Sequence, residues 1–194
     1  YTSKPTALFS NTQIENPNLM LEGMPNYRSG VDGLRVSNST KGGITFAAST
    51  TQNGIHMITV VLGVEAVDGD PYARFVATSS LMNYVVRTFV SSIVVKEGDP
   101  YGKSKASVMD GKSETVLAVA KKDFYIVEKQ GSQAEPKIQF KSTQESFKAP
   151  VKSGTTLGKL HYTDPDKIGR GYLEDQEPTV DMVAGRTIEK SFFL

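Results

Sequence analysis

Few residues in this 194-residue chain combine a reactive type with a useful spacing. The stretch "GVDGLRVSNSTKGG", residues 30–43, sets Arg35, Val36 and Ser37 between a short apolar lead and a Gly-rich turn. Arg35 could draw a carboxylate. Read alone, the stretch is an ordinary strand entering a hairpin, with Arg35 as a solvated charge. The two histidines, His56 and His161, each lie in an alternating, strand-like segment. A solvated or hydrogen-bonded imidazole is expected there, and one histidine alone makes a poor metal site. Nothing points to a Ser-His-Asp triad. The absence of cysteine excludes disulfides, thiolate nucleophiles and Cys-based zinc sites, and is compatible with an exported bacterial protein. Asp68 and Asp70 in "VDGDP" are not followed by calcium-loop spacing and read as helix-cap residues. "NST" at 38–40 fits an N-glycan acceptor and is read as turn composition. No metal and no cofactor is expected.

The elements that must position these residues follow from pattern and composition. Apolar residues make up 38%, charged residues 22%, and the net charge is +1. That balance argues against nucleic acid as a partner, because phosphate binding needs a clustered basic excess. The longest apolar run, within 55–67, is too short to span a bilayer. Residues 1–89 carry 6 Lys/Arg and 6 Asp/Glu, and residues 90–194 carry 16 and 15. The shift from a sparsely to a densely charged half places a domain boundary near residues 89–92.

In the first half, strands are expected at 33–37, 44–51 and 55–63, joined by the polar turn 38–43 and by Gly54. "IHMITVVLG" is apolar at nearly every position after His56, which predicts a central strand buried on both faces. Ala73, Val76, Ala77, Leu81, Tyr84 and Val85 recur at three- and four-residue spacing and predict an amphipathic helix over 72–88, lying across one face of the sheet. The second half alternates short β-branched or aromatic runs, at 92–96, 105–109, 115–120, 124–128, 137–140, 157–162 and 179–183, with turn signals such as "GDPYG" and "DPDKIG". Seven short strands at this spacing predict a small β-sandwich or barrel. No glycine cluster precedes a helix, so no phosphate cradle is expected.

Several segments, in order along the chain, resemble the second half of the serine-type D-alanyl-D-alanine carboxypeptidases, the low-molecular-mass penicillin-binding proteins. "FSNTQ" at 9–13 is similar to the family's Asn-Thr-Asn stretch, and "GVDGLRVSNSTKGG" to its Val-Asp-Gly-Leu-Lys-Thr-Gly strand and turn. "NGIHMITVVLGVE" is similar to the strand that follows, and "ARFVATSSLMNYVVRTF" to the C-terminal helix with its leading arginine. "APVKSGTTLGKL" and "MVAGRTIEKSFF" are similar to the family's β-rich second domain.

The resemblance implies an α+β partial penicillin-binding/β-lactamase-like transpeptidase domain over 1–89, an antiparallel sheet plus a C-terminal helix. An all-β sandwich-like domain follows over 90–194. It implies peptidoglycan or its stem peptides as partner, an extracytoplasmic place at the bacterial cell wall, and no cofactor. The family's chemistry needs Ser-x-x-Lys and Ser-x-Asn, which supply the nucleophile and proton transfer, and a Lys-Thr-Gly strand that binds the peptide carboxylate. No serine here is followed by lysine three positions on, or by asparagine two positions on. The third motif is altered. Arg35 keeps its charge, Val36 deletes the hydroxyl, and Ser37 adds a side chain where glycine would let substrate backbone approach. A lost hydrogen bond to a charged group is worth ~1.5–3 kcal/mol. The expectation is therefore no catalytic residue, a degenerate substrate-binding strand at Arg35, Val36 and Ser37, and a polypeptide inactive by itself. The other reading is a non-catalytic relative that serves as a cell-wall binding or scaffold domain.

The chain opens at Tyr1 without Met or leader and is expected to be a portion of a longer one. Its end, "EKSFFL", falls where the family's membrane anchor would begin, so no direct membrane insertion by this chain is expected. Without the family's first half, the strand at 55–63 would keep a bare edge, and a homodimer through residues 55–63 is expected.

Overall fold

The computed structural model describes residues 2–65, 70, 72–172, 174 and 176–192. Among the described residues the chain is mainly β, with one helix and several antiparallel sheets, and it divides into two compact units, Tyr1–Val90 and Ser91–Leu194.

The first unit opens with a two-stranded hairpin, β1 (Thr6–Phe9) and β2 (Thr12–Glu15). Ser10 and Asn11 at its tip both take positive φ, the conformation that two-residue hairpin turns require. A three-stranded antiparallel sheet follows, in the order β3 (Val31–Ser39), β4 (Gly43–Gln52), β5 (Ile55–Val64). Helix α1 (Ala73–Thr88) packs on one face of it. Phe46, Ala48, Met57 and Val61 from the sheet share a core with Phe75 and Met82 from the helix. The rings of Phe46 and Phe75 meet edge-on at 5.3 Å, worth ~0.5–1.5 kcal/mol beyond the area they bury. Arg28 ties the end of β4 to the helix, donating to Gln52 Oε1 at 2.8 Å and to Asn83 Oδ1 at 2.9 Å. Asp70 is not the helix cap expected of it: Tyr72 holds the N-cap position with no side-chain cap, and Asp70 Oδ1 accepts the Tyr72 amide at 2.9 Å ahead of the helix, while Asp68 lies outside the described residues.

Two expectations fail in this unit. β5 is not a central strand. It ends the sheet, and its burial alternates, leaving Ile58, Val60 and Leu62 exposed opposite the helix-covered face. An apolar run tells of side chains that avoid water, and here only one of its two faces finds cover within the chain. The apolar stripe read on the helix is only in part its buried face. Ala77 and Val85 pack against the core beside buried Arg74, Phe75, Thr78 and Met82, while Val76, Leu81 and Tyr84 are exposed. The helix is apolar on two sides, so helical periodicity mixed the two.

The second unit is built from β6 (Phe89–Val95), β7 (Pro100–Met109), β8 (Thr115–Ala120), β9 (Phe124–Lys129), β10 (Lys137–Ser142), β11 (Ser146–Lys148), β12 (Thr156–Thr163) and β13 (Thr179–Ala184). Six of them form one sheet in the order β10-β12-β13-β8-β7-β11, and β6 pairs with β9 in a two-stranded sheet. Val95, Phe124 and Ile126 from the small sheet share one core with Val116, Leu157, Leu160, Tyr162 and Met182 from the large one. Two sheets around a common core is the arrangement that alternating strands with one polar face must adopt. β11 is short, runs parallel to β7, and was not legible in the sequence. Among the described residues no helix is long and apolar enough to cross a membrane.

Candidate functional site

The altered motif lies in the second half of β3. Arg35 stands opposite Ala47, Val36 opposite Phe46, and Ser37 opposite Thr45 on β4. Strand alternation then separates the three side chains. Val36 is half-buried and packs against the helix–sheet core, whereas Arg35 and Ser37 are exposed. The valine therefore stabilises the interior and offers nothing polar to a ligand. Among the described residues Arg35 has no ion-pair or hydrogen-bond partner, so its charge is free for a ligand. β3 is itself an edge strand, so one side of its backbone has no strand partner among the described residues.

Two features fix this strand, and sequence reasoning gave neither a role. Arg74, on the first turn of α1, is buried to 5% exposure. Its guanidinium donates from Nη1 to the carbonyls of Ser37 and Thr45, each at 3.2 Å, and from Nη2 to Asn38 Oδ1. It clamps the end of β3 to β4 directly after the motif. Burial lowers its pKa, yet a guanidinium stays charged at any ordinary pH. A readable signal existed: a cation in the first turn opposes the helix dipole and needs a reason. At the strand's other end, fully buried Asn18 donates from Nδ2 to the Gly33 carbonyl at 3.1 Å and accepts the Met20 amide at 3.0 Å. Asp32 accepts the Ser49 hydroxyl close by.

Beside Leu34 lies a groove of about 380 Å³, with walls from Leu8, Phe9 and Ile14 of the hairpin and polar groups from Lys4 and Glu15. "FSNTQ" falls on this hairpin, across the tip. His56 is on β5 and His161 on β12, in different units. Among the described residues no three of His, Cys, Asp and Glu gather as metal ligands. What the strand offers is a backbone edge without a strand partner among the described residues and the exposed cation of Arg35 on it. Ser49 donates its hydroxyl to Asp32, whereas among the described residues no carboxylate or imidazole is hydrogen-bonded to Ser37.

Comparison with known proteins agrees with this architecture. Residues 89–190 match the family described as Penicillin-binding protein 5, C-terminal domain. The chain is 27% identical over 133 residues to the D-alanyl-D-alanine carboxypeptidase DacA of Haemophilus influenzae, covering 68% of this chain and 32% of that protein. It superimposes with a TM-score of 0.90 and 44% identity on the crystal structure of a peptidoglycan synthesis regulatory factor (PBP3) from Streptococcus pneumoniae, over 96% of this chain and 51% of that one. Penicillin binding protein 5 from Haemophilus influenzae shares the fold at a TM-score of 0.61 and 22% identity, over 97% of this chain and 50% of that one. The chain thus spans about half the length of the solved structures and about a third of the curated relative. It belongs to the family of the penicillin-binding protein 5 C-terminal domain and is homologous, over part of their length, to D-alanyl-D-alanine carboxypeptidases.

Proposed function

We propose that the first unit is the C-terminal part of a penicillin-binding transpeptidase-like domain whose β3 edge binds the C-terminal carboxylate of peptidoglycan stem peptides without forming an acyl-enzyme. Residues 90–194 are, on this reading, the β-rich domain that follows in D-alanyl-D-alanine carboxypeptidases. The chain then works outside the cytoplasm, at the bacterial cell wall. The observation that carries the reading is Arg35, exposed and unpartnered among the described residues on an edge strand beside an apolar groove. A peptide can add along such an edge by main-chain hydrogen bonds, with a cation to fix its terminus. The 44% identity to a protein described as a peptidoglycan synthesis regulatory factor supports the substrate class.

Titrating the isotope-labelled chain with a peptide ending in D-alanyl-D-alanine tests this. The free acid is expected to shift the amides of residues 34–38, its C-terminal amide to shift them far less, and Arg35→Gln to abolish the response. Equal response to acid and amide contradicts the reading. The second reading, a non-catalytic cell-wall scaffold, is favoured by the loss of the motif hydroxyl at Val36. It predicts that Arg35→Gln still sediments with purified peptidoglycan. Two copies of the polypeptide are further proposed to meet through residues 55–63. An unpaired antiparallel edge is complementary to itself, and Ile58, Val60 and Leu62 lie exposed along it.

A further inference from the structure

The outer face of the six-stranded sheet carries a charge arrangement that folding alone does not favour. β10 and β12 pair so that Lys141 stands directly opposite Lys159 and Gln139 opposite His161. Like charges directly opposite on paired strands repel, and a sheet seeking only stability would place an acid or a neutral side chain at one of them. Nor can the register relax. At Gly158, next to Lys159, an added Cβ would sit 2.2 Å from the Lys141 carbonyl oxygen, so the strands touch backbone to backbone there. The next strand places Asp181 opposite Lys159, and Lys121 approaches the same carboxylate at 3.9 Å. Lys121, Lys122 and Lys159 border a groove of about 500 Å³ around Asp181. Four lysines thus gather around one acid over β10, β12, β13 and the end of β8. Glu177, near the end of β12, is engaged by the Thr163 hydroxyl at 2.8 Å. The field of the cluster is felt locally: burial first, then Lys141 and Lys159, hold the His161 pKa below its ordinary value.

We infer that this face binds a linear phosphodiester polymer without bases, a polyol- or sugar-phosphate chain. Three observations select that chemistry. Every cation in the cluster is lysine, a point charge that neutralises phosphate without a fixed orientation, where bidentate carboxylate recognition calls for arginine. None of the exposed large apolar or aromatic side chains among the described residues lies on β10, β12 or β13, so nothing there would enter a lipid layer or stack on a base. Gln139, His161 and Thr179 lie beside the lysines in register and can donate to further phosphate oxygens. The inference concerns the second unit and is independent of the peptide reading of β3.

The test is equilibrium binding of the full chain to purified poly(glycerol phosphate) across a salt series. Affinity should fall linearly on logarithmic axes as salt rises, because each neutralised phosphate releases a counterion. The triple variant Lys121→Gln/Lys141→Gln/Lys159→Gln should bind at least about tenfold more weakly, with a salt slope about 2 units shallower at ~0.7 per lysine. It should be no less stable, since the opposed pair is relieved. A control of equal charge, Lys112→Gln/Lys152→Gln/Lys190→Gln, should bind as the parent does. Equal weakening by both variants, or no binding by the parent, overturns the inference. So does tighter binding to phosphatidylglycerol vesicles or to single-stranded DNA than to the polymer.

Discussion

The two units solve the problem of covering a sheet in different ways. The second turns the inner face of six strands onto two others and fills the space with its own side chains, from Val95 to Ile188. The side chains that face away from that core are polar or charged along β10 and β12, and on β13 they are Thr179 and Asp181, followed by Val183. The first covers one face of three strands with a single helix and leaves Ile58, Val60, Leu62, Val76, Leu81 and Tyr84 in water. Apolar side chains recurring in strand and helix register on both elements of one unit are surface made to be covered. The contrast separates a unit whose two sheets enclose one core from a unit that leaves apolar strand and helix faces exposed.

The largest expected effect comes from separating the units. Residues 90–194, expressed alone, should give a dispersed amide spectrum and a cooperative thermal transition, since their core draws on no residue before Val94. A collapsed spectrum would break the comparison. Next in size is Arg74→Ala, which strips two carbonyls and Asn38 of a charged donor and leaves them beneath the helix. It should cost about 3 kcal/mol in the first unit's unfolding, read by hydrogen exchange on β3 and β4, with β12 and β13 unchanged. Arg74→Lys should not restore protection, because one ammonium cannot span three acceptors.

A smaller effect sharpens the reading of exposed surface. Light scattering on the purified chain is expected to give about twice 21.1 kDa, and Ile58→Lys/Leu62→Lys to give the monomer mass with an unchanged fold. A strictly monomeric parent at high concentration would contradict pairing through β5. The smallest effect is one of pH. The folded state holds the His161 pKa below 6.5, so it binds that proton less readily than the unfolded chain does. The second unit should therefore keep its full stability above pH 6.5 and lose a little as pH falls through the folded pKa, and His161→Gln should flatten that dependence.

What the sequence allowed one to read follows the same division. The strands of the three-stranded sheet and the span of α1 were legible because Gly and Asn turns bracket runs with a clear period, whereas the short strands β1 and β2 were not. Most strands of the second unit were legible for the same reason. β11 was not, because three residues carry no period, and its parallel pairing with β7 is set by tertiary contact. Periodicity could not say which apolar side is covered, and so it joined Ala77 and Val85 of the packed side of α1 to its exposed Val76, Leu81 and Tyr84, and it misjudged the environment of β5. Of the site, the altered Arg35-Val36-Ser37 strand stood out in the sequence. Its supports, Arg74 and Asn18, did not: Arg74 shows only as a cation set against the helix dipole, and both act on backbone carbonyls, which side-chain patterns do not reveal.

The central claim, that this polypeptide carries a substrate-binding strand without the chemistry to acylate, is tested most directly by incubating it with a fluorescent penicillin and resolving the product on a denaturing gel beside intact-mass measurement. No labelled band and an unshifted mass are predicted, because no serine of the chain has lysine three positions on and Val36 offers no hydroxyl. A stoichiometric covalent adduct on any serine of this chain would contradict the account.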